Sequence, residues 1–217
     1  MPAILEDPSS PLIPAKPVDL SLIKSYEVSG KGYIVPFHPS NPVPPKALVK
    51  LLSREMNDEI ERGDTYPMES PFTPEAFGAY WFGTFCVVLF KNLPPQDPQA
   101  EFDWAANVLG TFYIKPNYPG RCSHVCNAGF LVPHAGRGMG NAHVLADAFE
   151  HYAPKLGYRQ SIFNLVFETN VSSLRIWDSH GFERVGRVPG AGRLKGQDKL
   201  VDAIIFSKIF NTEEEKS

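Results

Sequence analysis

Between Lys46 and Arg62, apolar residues recur at Leu48, Leu51, Leu52, Met56 and Ile60. That spacing predicts an amphipathic helix with one buried face, and Gly63 is placed to stop it. Thr73-Pro74 opens a second predicted helix, with Thr73 as N-cap and Pro74 in the first turn; Phe77, Tyr80 and Trp81 share one of its faces. Shorter apolar runs read as strands: Gly32–Phe37, Thr84–Phe90, Asn107–Pro116 and Val125–Val132. A third helix follows, carrying Ala142, Leu145, Ala146, Phe149, Ala153 and Leu156 on one face, with Pro154 set to kink it or cut it short. Ser161–Glu168 is the fifth strand. A capped helix from Asn170 stops at Gly181, and two further strands close the chain. This order predicts an α/β (α+β) sheet layered with helices.

Residues 1–30 are proline-rich without sustained periodicity, and are expected to form an arm that lies on the domain or stays disordered. The expected domain runs over 31–210, and 211–217 is a charged tail. A chain of 217 residues, 43% hydrophobic and 12% aromatic, has the material for one sizeable core. Its net charge of −3 argues against a nucleic-acid partner. A small anion held by local cations such as Arg137 and Arg175 fits better. Three cysteines make no disulfide framework, and no stretch is long and uncharged enough to span a bilayer. The expectation is a cytoplasmic protein with no membrane partner; a homodimer is compatible with it.

The chemistry-bearing stretch is Pro133–Ala142, "PHAGRGMGNA", at the junction of a strand and a helix. Glycines there let main-chain N–H groups converge at the positive end of a helix dipole, an arrangement that binds phosphate. An ordinary glycine turn has the same composition. The stretch is neither a Walker loop nor a dinucleotide fingerprint.

Arg137-x-x-Gly140-x-Ala142 resembles the R/Q-x-x-G-x-G/A motif of the GNAT superfamily of acetyltransferases, and "SLRIWDSHGF" after Asn170 resembles that superfamily's second motif. "LGTFYIKPNYPGRCSH", "CNAGFLV", "LGY", "SIFNLVF" and "VDAII" are similar to a fungal branch that acetylates proline analogues such as azetidine-2-carboxylate; "TYP" and "YWF" are weaker echoes. The resemblance spans about residues 45–208 and is strongest from Leu109 onward. It departs from the branch in the loop residues of "PHAGRGMGNAH" around the shared Arg-Gly pair.

The resemblance implies a mixed, mostly antiparallel sheet, splayed between its fourth and fifth strands, with helices on both faces. It implies acetyl-CoA as cosubstrate and no metal. Main-chain groups of Phe130 and Val132 would hold the thioester, and the diphosphate would rest on Arg137, Gly138, Gly140 and Ala142. Asn127, with main-chain N–H groups at Asn164 and Leu165, would hold the acceptor, the asparagine through its carboxylate. Strand asparagines bonded to neighbouring backbone are the alternative for Asn127 and Asn164. Asn170 would contact the thioester sulfur as the catalytic donor, because the position of the superfamily's acidic tyrosine is held here by Trp177. Asn170 also suits a plain N-cap. A hydrogen bond to a charged group contributes about 1.5–3 kcal/mol, roughly ten- to a hundred-fold in rate.

Glu168, His124 and His134 are candidate bases, with water as a relay. Cys122, His124 and Cys126 alternate and would share a strand face as a rival zinc set, but no second pair completes it. The expected activity is direct N-acetylation of a small amine, a proline-like imino acid foremost. A covalent path through Cys126 is the minor variant. A different small amine, such as a polyamine, drug or biosynthetic intermediate, or a catalytically silent CoA-binding domain, are the alternatives.

Overall fold

A computed structural model describes residues 18–40, 43–95 and 101–210. The elements run β1 (Tyr26–Val28), β2 (Gly32–Phe37), α1 (Lys46–Arg62), α2 (Pro74–Trp81), β3 (Phe85–Phe90), α3 (Trp104–Asn107), β4 (Val108–Pro116), β5 (Val125–Leu131), α4 (Asn141–Lys155), β6 (Gln160–Phe167), α5 (Val171–Ser179), β7 (Glu183–Gly192) and β8 (Val201–Ile209). One eight-stranded sheet takes the order β1-β2-β3-β4-β5-β6-β8-β7. Every neighbouring pair is antiparallel except β5 and β6.

The sheet is buried on both faces in its middle, so its strands read as continuous apolar runs. Along β3, Phe85, Val87 and Leu89 pack toward α4, while Cys86, Val88 and Phe90 pack toward α1 and α2. Trp81 fills the second layer, fully buried, and its indole N–H donates to Thr111 Oγ1 at 3.0 Å. The helix ends follow their local chemistry. Thr73 Oγ1 accepts from Ala76 N at the start of α2. Gly63 closes α1 in the left-handed region, φ 70°, donating to Glu59 O. Pro154 lies in the last turn of α4, which ends one residue later.

Two departures from the expected order matter. Residues 26–28, placed by sequence in the arm, form β1 and pair with β2, and Val18, Ile23, Tyr26 and Val28 pack on the core. The start of the arm (1–17) and the tail (211–217) lie outside the described residues. Because β1 precedes the strands foreseen, the splayed pair is β5 and β6 rather than the fourth and fifth. A short helix, α3, also precedes β4 and takes Asn107 from the start of the strand expected over Asn107–Pro116. None of the described helices is long and apolar enough to cross a membrane.

Candidate active site

β5 and β6 are in register only at Val125↔Gln160 and Cys126↔Ser161, and then part. Main-chain groups on a strand point alternately to its two neighbours. Val125 O accepts from Asn117 N, on the β4 side, whereas His124 O accepts from Arg159 N, on the β6 side. By that alternation Ala128 and Phe130, and Val132 just beyond the strand, turn their polar groups into the opening. Across it, the β6–β8 register jumps from Phe163↔Phe206 to Val166↔Ile204. This bulge leaves Asn164 and Leu165 without register partners on β8. Four of the expected main-chain positions, Phe130, Val132, Asn164 and Leu165, thus come together around one fork.

Two cavities of about 210 and 570 Å³ meet there, sharing Glu59, Phe130, Val132, Asn170, Ser173 and Trp177 in their walls. The larger leads to the glycine turn. Gly138 and Gly140 have φ 73° and 75°, a region open to glycine at little cost. Gly140 is the N-cap of α4 and supplies no side-chain cap. The N–H groups of Gly138, Met139 and Gly140 make no hydrogen bond among the described residues. Uncapped amides at the positive end of a fifteen-residue helix fit an anion. Asn141 Nδ2 donates to Gly136 O at 2.9 Å and locks the turn back on itself. Gly136 lies so close to β4 that a Cβ would meet Leu109 O at 2.1 Å.

Arg137 differs from expectation. Its N–H is taken by His134 O, and its guanidinium donates to Glu59 Oε1 and to Val132 O. It braces the turn against α1 and β5 and is not a free cation at the anion site. Arg175 is exposed on α5 and lies outside both cavity walls, whereas Arg62 lines the larger one. Ala142 sits in the first turn of α4, in the wall of the same cavity.

The smaller cavity ends at an asparagine trio. Asn117 Oδ1 accepts from Asn127 Nδ2 at 3.1 Å and from Asn164 Nδ2 at 2.7 Å. One donor hydrogen of Asn127 is therefore committed to Asn117, and its amide has a second left for a ligand. Tyr66, in the loop after α1, donates to Phe130 O at 2.7 Å. Burial raises its phenol well above the ordinary tyrosine range, so it stays a neutral donor.

Asn170 stands where the cavities join. Its Oδ1 accepts from Ser173 N at 3.2 Å and caps α5, while its Nδ2 makes no hydrogen bond among the described residues. Cap and donor use opposite ends of one amide, so the two readings of this residue are compatible. Trp177, 5% exposed, packs on Phe163 and Phe130 with ring centroids 4.4 and 4.9 Å apart.

The candidate bases are elsewhere. Glu168 pairs with Arg187, and neither it, His124 nor His134 lines either of these two cavities. The carboxylate in the walls is Glu59, which sequence reading passed over. It accepts two bonds from Arg62 at 2.6 Å, one from Thr65 Oγ1 at 3.0 Å, and one from Arg137. So engaged, it is a brace. The signal was present: Glu59 lies three and seven residues beyond Met56 and Leu52, on the apolar face of α1.

Cys126 is fully buried in the α4-side core, its thiol pushed up by burial, which overturns the covalent path through it. The zinc geometry also fails. β5 begins only at Val125, and Cys122 is exposed at the end of a separate turn. The described residues hold no group of three His, Cys, Asp or Glu placed to bind a metal.

No protein-family model matches the chain. Among solved structures, a GCN5-related N-acetyltransferase from Kribbella flavida superposes with a TM-score of 0.66 at 24% identity, over 81% of this chain and 97% of its own. An acetyltransferase of Salmonella typhimurium, yncA, solved with acetyl-CoA, superposes at 0.65 and 13% identity, over 83% and 95%. These show the fold. The N-acetyltransferase aca1 of Schizosaccharomyces pombe is 44% identical over 169 residues, 75% of this chain and 80% of that one. With that identity across most of both chains, and a fold that superposes on GCN5-related structures, the chain belongs to the GCN5-related N-acetyltransferases (GNAT) and is an N-acetyltransferase.

Proposed function

We propose that the protein transfers the acetyl group of acetyl-CoA to the nitrogen of a small, carboxylate-bearing amine, a proline-like imino acid such as azetidine-2-carboxylate. The observation that carries this reading is the fork between β5 and β6. It joins an uncapped helix N-terminus at one end to a polar asparagine trio at the other. Acetyl-CoA, when bound, supplies an activated acetyl group on a good leaving thiol. The N–H groups of Gly138, Met139 and Gly140 hold its diphosphate. The N–H of Phe130 faces the carbonyl oxygen, where a fixed donor stabilises the charge that develops on reaction. The Nδ2 of Asn170 donates to the sulfur as it departs; an amide has no proton to give up, and a thiol of pKa about 8.5 leaves without one. Asn127, steadied by Asn117, and the released N–H groups of Asn164 and Leu165 hold the acceptor. No free carboxylate or histidine lines either cavity, so the acceptor's proton leaves through water.

Purified protein given acetyl-CoA and a panel of cyclic and acyclic amino acids and polyamines tests the reading by thiol release and product mass. We expect fastest turnover on azetidine-2-carboxylate. Preference for a polyamine, or thermal stabilisation by acetyl-CoA with no turnover on any amine, sinks it. An Asn127→Ala variant that leaves the acceptor KM unmoved removes the assigned contact.

A further inference from the structure

Lys115 is the eighth residue of β4, in a strand otherwise apolar or small apart from Thr111 and Tyr113. It is half-buried, yet its ammonium makes no ion pair or hydrogen bond among the described residues. Its Nζ stands 4.5 Å from the ring centre of Tyr80 and 4.7 Å from that of Tyr113. Those hydroxyls lie 3.0 Å apart, so the two rings form a fixed cage. Cation–π contact contributes about 0.5–2 kcal/mol, and it does not compensate the lost water: burial still brings the ammonium down to about 8.

Position gives this uncompensated cation a use. Lys115 is the register partner of Asn127. Side chains directly opposite on one face have Cβ atoms about 5 Å apart. Tyr113, under the ammonium, and Asn127, beside it, both line the smaller cavity. Glu59, also in that wall, already accepts from two arginines. Lys115 is outside the lining of both cavities, so its unmatched positive charge stands just behind Tyr113 and Asn127, and the wall itself holds no unmatched negative one.

We infer that Lys115 is the charge-selecting residue of the acceptor site, its ammonium pairing with the carboxylate of the amino or imino acid that Asn127 hydrogen-bonds. The inference rests on the acceptor class proposed above and adds the group that selects it. The tyrosine cage holds the ammonium off the cavity floor, and the ligand completes its coordination. A neutral or cationic acceptor leaves the charge unmet or opposes it.

Lys115→Met and Lys115→Arg, assayed with azetidine-2-carboxylate and with its neutral carboxamide, test the assignment. In the methionine variant KM for the carboxylate should rise by about tenfold or more, as expected for loss of one charge-assisted contact. KM for the carboxamide and for acetyl-CoA should stay within about twofold. Lys115→Arg should keep most of the preference for the carboxylate. Stabilisation by acetyl-CoA verifies that each variant is folded; should the methionine variant not fold, the wild-type preference for carboxylate over carboxamide, retained in the arginine variant, decides. If wild type acetylates azetidine-2-carboxylate and Lys115→Met keeps the same carboxylate-to-carboxamide ratio, this inference alone falls. If wild type prefers carboxylate-free amines, the acceptor reading falls with it.

Discussion

At the scale of single residues, Asn170 separates structure from chemistry because its amide faces two ways. Asn170→Asp keeps the cap acceptor and loses the donor. We expect its melting temperature to hold while kcat falls about ten- to a hundred-fold. Asn170→Ala should lose both, with a further cap cost of about 1 kcal/mol read by denaturation. Equal kcat in wild type and the aspartate variant would leave Asn170 a cap and nothing more. Sequence reading reached this residue because N-caps are local: the acceptor and the amide it serves are three positions apart. It missed Glu59, Lys115 and Asn117 because their partners are distant. Arg137 meets Glu59 across 78 positions, and no local pattern announces such a pair. For the same reason the motif arginine read as a free cation. Its own stretch of sequence gives no hint of the carboxylate that occupies it.

At the scale of elements, the turn before α4 depends on conformation more than on space. A Cβ at Gly140 would meet nothing nearer than Lys31 Nζ at 3.6 Å, yet φ is 75°. An L-residue held there costs about 1–2 kcal/mol. Gly140→Ala should therefore raise KM for acetyl-CoA about fivefold or more, with kcat at saturation little changed, in steady-state assays. The tie between α1 and this turn has its own test. Glu59→Ala strands Arg62 and Arg137, both about 40% exposed, and should cost about 1–3 kcal/mol in denaturant unfolding. It should weaken acetyl-CoA binding at the same time. The boundaries of α1 and α2 were legible because a stripe, a stop glycine and a threonine cap agree. β1 was not, because three residues of Tyr-Glu-Val become a strand only by pairing with β2. The fork itself was legible only through resemblance: nothing in "VCNAGFLV" states that its neighbour leaves after two residues.

For the whole molecule, the ionisation of Lys115 makes stability depend on pH. Its ammonium is weakened in the folded state, from 10.5 to about 8, by burial between Tyr80 and Tyr113, whose phenols burial raises in turn. Between those two values the unfolded chain binds the extra proton. The penalty is therefore full below about pH 8 and is relieved as pH rises toward 10.5. Lys115→Met should be the more stable protein at pH 7, by about 1–3 kcal/mol at ~1.36 kcal/mol per unit, with the gap closing by pH 10 in urea melts. A constant gap across that range would show that the cage does not desolvate the ammonium.

Parted strands also leave a kinetic fingerprint. Amides in the middle of an eight-stranded sheet ordinarily exchange with deuterium only on global opening. The N–H of Phe130 faces the opening, away from its β4 partner Phe112, and Asn164 and Leu165 have no register partner on β8, so these amides should label within seconds. Acetyl-CoA should slow Phe130, and an amino-acid acceptor should slow Asn164 and Leu165. Each ligand thereby writes its own position into the exchange map, with no catalytic turnover required.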